Sequence, residues 1–524
     1  MLAPTTLAIL LPLVLLTHAV ITYIRNPLRK IPSAHPLARF TSLWIHSIRW
    51  RAVENATLKA AHARLGPIIC LGPNEISVNC VKGGIRDVYA GGFEKQSCAK
   101  SGYNWYAFFS NYGGVDNMFS MGGNKTHSLR KRMISNIYSK SVVNSSPALL
   151  AQVSTILFDR FLPYLDLASR KDGGVLNITS FLSASTMDIV TGYIFGLHAG
   201  SDLISKPTEL TWFLDLYNSR RSYNFWPQEF PELTSFFENR LGYRIVPKWV
   251  DEANEQIEKW TRGMCEGAGR VIAAGTPQPA DTPTVYQQLH TVLHKEVKKG
   301  AVETDAIDAL IASEVLDHLA AGFDTSAITL TYVVHEVSRH KQVQSRLQSE
   351  LRTLSPQLVP ESSSKLPDPK TVDALPYLHA VIWETLRLHS AIPGPQPRFT
   401  PPQGCHLGPE EKPYYVPGGV RVSASAGLLH ANEEVYERAS EWRPERWLDM
   451  ESLGEEKRKD MESRWFWAFG SGGRMCVGSH LAVYRKCAVF CLLKLLCTEI
   501  SNAMTSERLK GAVESFAGHR RVVW

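Results

Sequence analysis

The strongest chemical signal in the chain is one cysteine in a glycine-rich loop. Residues 469–478 read Phe-Gly-Ser-Gly-Gly-Arg-Met-Cys-Val-Gly, with Cys476 directly before an apolar stretch predicted to be helical. Glycines let a backbone pass close to a bulky group, and the N-terminal end of a helix favours a thiolate. The pattern indicates a thiolate ligand to haem iron, covered on one side by Phe469. On this loop alone, a buried structural cysteine in a glycine-rich turn is the alternative.

An acid and an alcohol interrupt a strongly helical pattern between residues 304 and 351. Residues 320–326 read Ala-Ala-Gly-Phe-Asp-Thr-Ser, and Gly, Thr and Ser are poor helix formers. Small side chains let another group approach the helix, and Asp324 and Thr325 would then handle protons beside it. The alternative is a helix bend in which the Thr325 hydroxyl bonds to the preceding turn. The residues alone favour neither.

A charged pair lies within another helical pattern, between residues 371 and 389. Glu384 and Arg387 are three residues apart, so they share one helix face and can pair. Such a pair is usually an exposed contact of little worth, but the apolar flanks favour burial here. Because a buried pair needs further partners, Arg446 in Trp-Arg-Pro-Glu-Arg-Trp is the candidate third member.

The elements that position these groups belong to a large, mainly helical protein. The chain has 524 residues, 44% apolar and 20% charged, as in a globular protein with a sizeable core. Strand-like runs at residues 68–71, 75–78 and 414–422 predict small β regions. Nine scattered cysteines without a Cys-x-x-Cys pair argue against a disulfide framework or zinc site and for a reducing compartment.

Residues 98–123 form an aromatic-rich stretch without clear periodicity. Its aromatic residues are Tyr103, Trp105, Tyr106, Phe108, Phe109, Tyr112 and Phe119. Such a stretch makes a good wall for an apolar ligand pocket. An ordinary core role for some of these side chains is an equally good interpretation.

The N-terminal residues predict a membrane anchor. Residues 2–24 carry no charge and would form a helix of about 34 Å, enough to cross a bilayer. Basic residues follow this span and none precedes it, which places the bulk of the protein on the cytosolic side. A cleaved secretory signal is the alternative, which the missing basic n-region disfavours. Prolines predict a stiff hinge over residues 25–39, followed by one domain over 40–524.

The net charge of +7 is too mild to imply a nucleic-acid partner, and we find no basic arm or base-stacking platform. It is compatible with an anionic membrane surface or an acidic protein partner. Partners of these two kinds are therefore expected, and nucleic acid is not.

Four segments stand in one order: a small-residue helix with Asp-Thr, a Glu-x-x-Arg helix, a Pro-Glu-Arg-Trp stretch and Phe-x-x-Gly-x-Arg-x-Cys-x-Gly. From about residue 30 to the end, the chain resembles the cytochrome P-450 family. The resemblance implies a mainly α fold with small β regions, a triangular helical prism that holds haem b between a long central helix and a proximal helix. The arrangement of an anchor followed by a proline hinge resembles that of microsomal members, and the amino-acid sequence of the N-terminal region resembles that of fungal members.

On the proximal side, the resemblance makes Cys476 the thiolate ligand of the iron. Phe469 packs beside the thiolate, and Gly472 and Gly478 shape the loop. The segment therefore carries the metal site and its immediate surroundings.

The haem propionates are implied to pair with three arginines. Arg474 lies in the cysteine loop, Arg398 follows a proline-rich stretch, and Arg132 lies in an early basic helix. The family often has a tryptophan in that helix, where alignment on Tyr138 places Ser128. This departure leaves the assignment of Arg132 open.

On the distal side, the resemblance places Ala321 and Gly322 in the oxygen-binding groove, with Asp324 and Thr325 as the catalytic pair. A buried structural triad is implied for Glu384, Arg387 and Arg446.

The implied function is a haem-thiolate monooxygenase that oxidises a hydrophobic small molecule, expected to be a secondary-metabolite intermediate. It would use O2 and electrons from NADPH through NADPH–cytochrome reductase, because the chain has no flavin or nicotinamide motif of its own. Arg485 and Lys486 are predicted to dock the reductase. The expected location is the endoplasmic reticulum membrane, as a single-pass protein with a cytosolic domain. A haem-thiolate isomerase or dehydratase and a non-catalytic haem sensor are the alternatives.

Overall fold

The computed structural model describes residues 23–98, 102–111, 113–169, 176–356, 366–448 and 450–484, together with residues 14, 17, 20 and 21. Most of the predicted anchor over residues 2–24 lies outside the described residues, as do Arg485 and Lys486. Within the described ranges, no helix is long and apolar enough to cross a bilayer.

The protein is mainly helical, as predicted. The α-helices are α1 Leu43–Trp50, α2 Glu54–Leu65, α3 Arg86–Tyr89, α4 Asn124–Ile134, α5 Lys140–Ser145, α6 Pro147–Thr155, α7 Leu162–Ser169, α8 Ile178–Phe195, α9 Pro207–Ser219, α10 Phe225–Glu229, α11 Pro231–Leu241, α12 Lys248–Ala273, α13 Thr284–Lys298, α14 Ile307–Arg339, α15 Lys341–Leu351, α16 Pro369–Asp373, α17 Pro376–Leu388, α18 Ala426–Leu429 and α19 Glu455–Lys459. Short 3-10 turns include Trp105–Asn111, Arg220–Tyr223, Pro444–Trp447 and Gly472–Arg474.

Two small sheets complete the described fold and confirm the strand predictions. The strands are β1 Ile68–Gly72, β2 Glu75–Val78, β3 Arg398–Phe399, β4 Cys405–Leu407, β5 Tyr414–Val416 and β6 Arg421–Ser423. The larger sheet has the order β1-β2-β6-β3, in which β2 and β6 are parallel and the other pairs antiparallel. β4 and β5 form a separate hairpin. The pairing of Arg398 with Val422 fixes one predicted haem contact on a sheet edge.

The core is centred on α14, which packs along α8. α8 is buried almost all round because its side chains are apolar or small on every face. The Thr186 hydroxyl donates a hydrogen bond across the helix pair to the Phe323 carbonyl at 3.0 Å. This contact holds the α14 backbone next to the predicted oxygen groove.

The strongly helical pattern between residues 304 and 351 forms two long helices. α14 ends at Arg339 and α15 begins at Lys341, because His340 has non-helical backbone angles of φ −114° and ψ 84°. The His340 ring nitrogen Nδ1 lies 2.7 Å from the Glu336 carbonyl, so the side chain satisfies a group at the helix end.

Candidate active site

The cysteine loop is closed by backbone hydrogen bonds. The Cys476 amide donates to the Phe469 carbonyl at 2.9 Å, and the Met475 amide donates to the Gly472 carbonyl at 3.1 Å. Cys476 is exposed, and a helix follows from residue 479. The backbone hydrogen bond thus closes the loop between Phe469 and the exposed Cys476, and the packing of the Phe469 ring beside the sulfur stays a prediction.

The two glycines predicted to shape this loop differ in what surrounds them. Gly472 has a φ of 68°, and an added Cβ would lie 2.9 Å from the Ala90 Cα, so only glycine fits there. An added Cβ on Gly478 would meet no described heavy atom within 4 Å. Packing within the described residues thus explains Gly472 and leaves the shaping role of Gly478 a prediction.

Two of the predicted propionate partners lie close together in the fold. The Arg474 guanidinium donates to Asn124 Oδ1 at 3.1 Å and to the Met121 and Gly122 carbonyls at 2.9 and 3.0 Å. Arg398 is buried and donates to the Tyr106 hydroxyl at 2.7 Å. Burial and the neighbouring Arg398 charge lower the pKa of Arg474 to about 10. Two like charges held together favour an anionic ligand between or beside them.

Lys95 joins these arginines and was not found by sequence reasoning. Its side chain is buried, and Nζ donates to the Phe119 carbonyl at 2.5 Å and lies 3.7 Å from the Tyr106 ring centroid. Burial, with Arg398 and Arg474 nearby, holds its pKa well below the ordinary value for lysine. A lysine just ahead of the aromatic stretch was the available signal, but only the fold shows that it points inward.

Arg132 and its neighbour Lys131 lie in different surroundings on the early basic helix, and the propionate role of Arg132 stays a prediction. Arg132 is exposed on α4. Lys131 instead faces the cysteine loop, where Nζ donates to the Gly473 carbonyl at 3.0 Å and the Met475 carbonyl at 2.8 Å. Adjacent helical residues point about 100° apart, so a shift of one position changes the face that a side chain occupies. His127, one turn before Lys131, is buried on the same side.

The surroundings of His127 show that these cations converge. Burial and the charges of Arg474, Lys95, Lys131 and Arg398 together lower its pKa to about 3. On the same helix, Arg130 has a buried Nη1 without a hydrogen-bond partner among the described residues. A group with two carboxylates would offset this concentration of positive charge, and haem b carries two propionates. The thiolate donor and the cation cluster therefore fit haem.

The predicted distal residues lie on an open part of α14. Ala321 is exposed although most of this helix is buried. The Thr325 hydroxyl donates to the Ala321 carbonyl at 2.8 Å, so the back-bonded arrangement weighed from the sequence is present. A hydroxyl that donates in this way keeps lone pairs to accept a further hydrogen bond. Asp324 accepts a hydrogen bond from Arg221 Nη2 at 2.9 Å.

Glu384, Arg387 and Arg446 come together as the sequence predicted. Glu384 is fully buried and accepts from Arg387 at 2.9 and 2.7 Å, from Arg446 Nε at 3.0 Å and from Trp447 Nε1 at 2.9 Å. Arg387 also donates to two backbone carbonyls, those of His430 and Ala439, both at 2.8 Å. Each charged group of the triad has hydrogen-bond partners, so the three residues form a buried network rather than an exposed ion pair.

His430 extends this network to the cysteine loop and was missed from the sequence. Its ring Nδ1 lies 2.9 Å from the Arg387 carbonyl, and Nε2 accepts a hydrogen bond from the Trp467 amide at 2.8 Å. Trp467 stands two residues before Phe469. His430 thus connects the buried triad to the start of the thiolate loop, a long-range link that leaves no local sequence signal.

The aromatic stretch contains both buried and partly buried side chains, so a core role is shown for some of them and the pocket-wall role stays a prediction. Trp105 and Tyr106 are buried, as core residues are. Phe109 and Phe119 are only partly buried and contact each other edge to face, with centroids 4.9 Å apart. Tyr106 also contacts Phe119, at 5.3 Å. The stretch is therefore a packed aromatic cluster in which some side chains are only partly buried.

A thiolate loop, a cation cluster that matches two propionates and an acid–alcohol pair on an open helix face define a haem-thiolate protein. The chain belongs to the cytochrome P-450 family, whose sequence model matches residues 54–496. Members of this family bind haem b, and this protein is a monooxygenase, an oxidoreductase that uses O2 and a redox partner.

Named relatives agree with this class. A cytochrome P-450 monooxygenase, hkm5, from Aspergillus hancockii is 28% identical over 470 residues, covering 87% of this chain and 82% of its own length. A second, avaI, from Aspergillus versicolor is 28% identical over 438 residues, covering 81% of this chain and 93% of its own. The similarity thus extends over most of each protein.

Proposed function

We propose that this monooxygenase oxidises a hydrophobic small molecule of fungal secondary metabolism, with electrons delivered from NADPH by a separate NADPH–cytochrome reductase. The observation that carries the proposal is the Asp324–Thr325 pair on the open face of α14. An isomerase or a haem sensor has no need of groups that deliver protons. The similarity to monooxygenases from Aspergillus species supports the choice of substrate class.

The roles proposed for the chain's own residues follow from their contacts. Cys476 would ligate the iron, and Lys131, Arg398 and Arg474 would hold the propionates, with Lys95 behind them. When bound, haem supplies the activation of dioxygen, which a thiolate ligand favours. Asp324 would exchange protons with solvent, and the Thr325 hydroxyl would pass them toward the distal side.

We also propose that the protein is held at the endoplasmic reticulum membrane. Two described regions support this by exposing large apolar side chains that a soluble surface usually covers. The first is the N-terminal region with Leu37, Phe40, Leu43 and Trp50, and the second is α11 and the residue pair after it, with Leu233, Phe236, Leu241 and Tyr243. Liposome flotation of the chain without residues 1–24 tests whether these surfaces bind lipid by themselves.

The proposed reaction is tested with purified haem-loaded protein, reductase, NADPH and labelled O2. Extracts of a strain that lacks this gene supply the accumulated substrate. We expect one labelled oxygen atom in the product and no product when either NADPH or O2 is omitted. Product formed without both would favour the isomerase alternative, and no conversion of the accumulated compound would favour the sensor.

The reductase is proposed to dock near Arg485 and Lys486. Reversing both charges is expected to slow reduction of the haem and to reduce its dependence on salt, because complementary charges mainly set the association rate. Reduction kinetics that keep their rate and salt dependence would place the docking surface elsewhere.

A further inference from the structure

Two histidines lie one turn apart on α13. His290 and His294 are four residues apart in the chain, so their side chains share one face of the helix. Both are half-buried, whereas Leu289 and Leu293, the residues before them, are buried in the core. The pair therefore lies at the border between the core and the solvent, and neither histidine belongs to the haem site described above.

The two imidazole rings approach each other through the same nitrogen. Nε2 of His290 lies 3.0 Å from Nε2 of His294, while the ring centroids are 4.3 Å apart and the ring planes make an angle of 63°. A hydrogen bond aligned along the axes of both rings would place the centroids roughly 5 Å apart or more. The rings therefore stand side by side and converge at their Nε2 edges.

This spacing suits two ligands of one metal ion. Imidazole nitrogens bind Zn²⁺ at about 2.0–2.1 Å, and imidazole is also a good ligand for Cu²⁺ and Ni²⁺. At such bond lengths, two nitrogens 3.0 Å apart subtend about 94° at the ion. That angle is close to the right angle between neighbouring ligands in the tetragonal geometry of Cu²⁺ and Ni²⁺, and it is smaller than the tetrahedral angle of structural zinc sites.

A hydrogen bond between two neutral rings is the alternative role for the pair. Burial and the neighbouring His294 lower the pKa of His290, and Asp308 acts in the opposite direction. A neutral imidazole is also the form that binds metal ions, so both interpretations need the same protonation state. Only a measurement of metal binding separates them.

The other positions around such an ion would be filled by water. Among the residues that the structure describes, no group of three or more His, Cys, Asp or Glu side chains could hold a metal ion. Cys265 lies on the neighbouring helix α12, but burial and the Asp308 charge raise the pKa of its thiol to about 12. The thiol is thus protonated at neutral pH, and only a thiolate would be a metal ligand.

We propose that His290 and His294 form a binding site for one late divalent transition-metal ion, Cu²⁺ or Ni²⁺, at the surface of α13. The site is separate from the haem and does not depend on the oxygenase function proposed above. An ion held by both rings would join two successive turns of the helix, and it would stabilise the folded chain because it binds only when the two rings are held together.

Metal titration of the haem-loaded full chain tests the site. The protein carries no affinity tag and is first dialysed against a chelator, and NiCl2 and CuCl2 are then titrated separately by calorimetry. We expect Cu²⁺ to bind more tightly than Ni²⁺, as the general order of metal affinities predicts. His290→Asn and His294→Asn are each expected to weaken the tightest Ni²⁺ binding by at least about tenfold.

Two further variants separate chelation from binding at single rings. The double variant of His290 and His294 should bind Ni²⁺ within about twofold of either single variant, because losing one ring already destroys the chelate. His406→Asn removes an exposed histidine on β4 and is expected to leave the affinity within about twofold of wild type.

A measurement on the unaltered chain covers the case in which a variant folds poorly. Diethyl pyrocarbonate modifies imidazole nitrogens that are free, and mass spectrometry of the peptides gives the rate at each histidine. Saturating Ni²⁺ is expected to slow modification of His290 and His294 by at least about tenfold and to leave His406 within about twofold.

Three results would overturn the proposal. The first is a Ni²⁺ affinity that is the same in wild type and in both single variants. The second is a loss in only one of the two variants, which would assign the ion to one ring and a different group. The third is modification of both rings at a rate that Ni²⁺ does not change, which would leave the hydrogen bond between the rings as their role.

Discussion

The Arg221 guanidinium donates a hydrogen bond to Asp324 Oδ2 at 2.9 Å, joining the turn after α9 to the proposed oxygen groove. Arg221 also lies over the Tyr217 ring, at 4.5 Å from its centroid, and Tyr217 packs against Phe323 at 5.0 Å. Asp324 nearby raises the pKa of Arg221 against the effect of its burial. The acid of the proposed proton-delivery pair is therefore held by the segment that follows α9.

Replacing Arg221 is expected to change how Asp324 delivers protons. In Arg221→Met the carboxylate loses its partner, so we expect the ratio of product to NADPH consumed to change by about threefold or more, with an altered solvent isotope effect. Arg220→Met is the matched control, since the Arg220 guanidinium donates to Asn254 Oδ1 at 2.8 Å. If the two variants show the same ratio of product to NADPH consumed and the same solvent isotope effect, the Arg221 contact is only structural.

Thr325→Ala should retain haem but release peroxide in place of product, because the hydroxyl proposed to pass protons is gone. We expect at least about a fivefold fall in product per NADPH, measured with a peroxide assay. Thr329→Ala is the control, since its hydroxyl bonds to the Thr325 carbonyl at 2.9 Å in the same back-bonded manner. If both variants give the wild-type ratio of product to NADPH consumed, the Thr325 hydroxyl has only a structural role in the helix.

Cys476→Ser is expected to lose the thiolate signature in the reduced, CO-bound spectrum, because an alkoxide or alcohol ligand donates less electron density than a thiolate. Cys98→Ser, at another exposed cysteine, should keep that spectrum. A wild-type spectrum in Cys476→Ser would reassign the iron ligand.

Lys131→Gln should lower haem occupancy more than Arg132→Gln does, because only Lys131 contacts the cysteine loop. We expect a loss of at least about threefold in haem affinity for Lys131→Gln, as for removal of one charge-assisted contact. Haem transfer to apomyoglobin measures that affinity. The opposite ranking would identify Arg132 as the propionate partner, as the sequence predicts.

Acid is expected to destabilise the protein partly through His430. Burial lowers its pKa to about 3, so the folded state holds it neutral while the unfolded state binds a proton below about pH 6.5. Its contribution to the free energy of unfolding is present above the unfolded pKa and falls as pH drops toward 3, by on the order of 5 kcal/mol in all. His430→Gln should be less stable at neutral pH and should flatten this slope in denaturant titrations.

Local sequence patterns predicted much of the fold and the chemistry of the site. The cysteine loop, the Asp324–Thr325 pair and the Glu-x-x-Arg helix are contiguous, so their residue types and spacing are visible in the chain itself. The family and the monooxygenase class that they indicated are confirmed by the match over residues 54–496. Strand positions followed likewise from strand-like runs bounded by turn residues.

Only the tertiary structure decided which side chains meet. Lys131 rather than Arg132 faces the cysteine loop because of the way α4 is rotated about its axis. A run of consecutive basic residues does not reveal which of them lies on the inner face of the helix. Lys95, Arg221 and His430 act on groups that are distant in the chain, so their partners exist only once the helices pack. The sequence by itself determined the reactive residues, whereas packing determined their charge environment, because burial and long-range contacts set the cost of every charge.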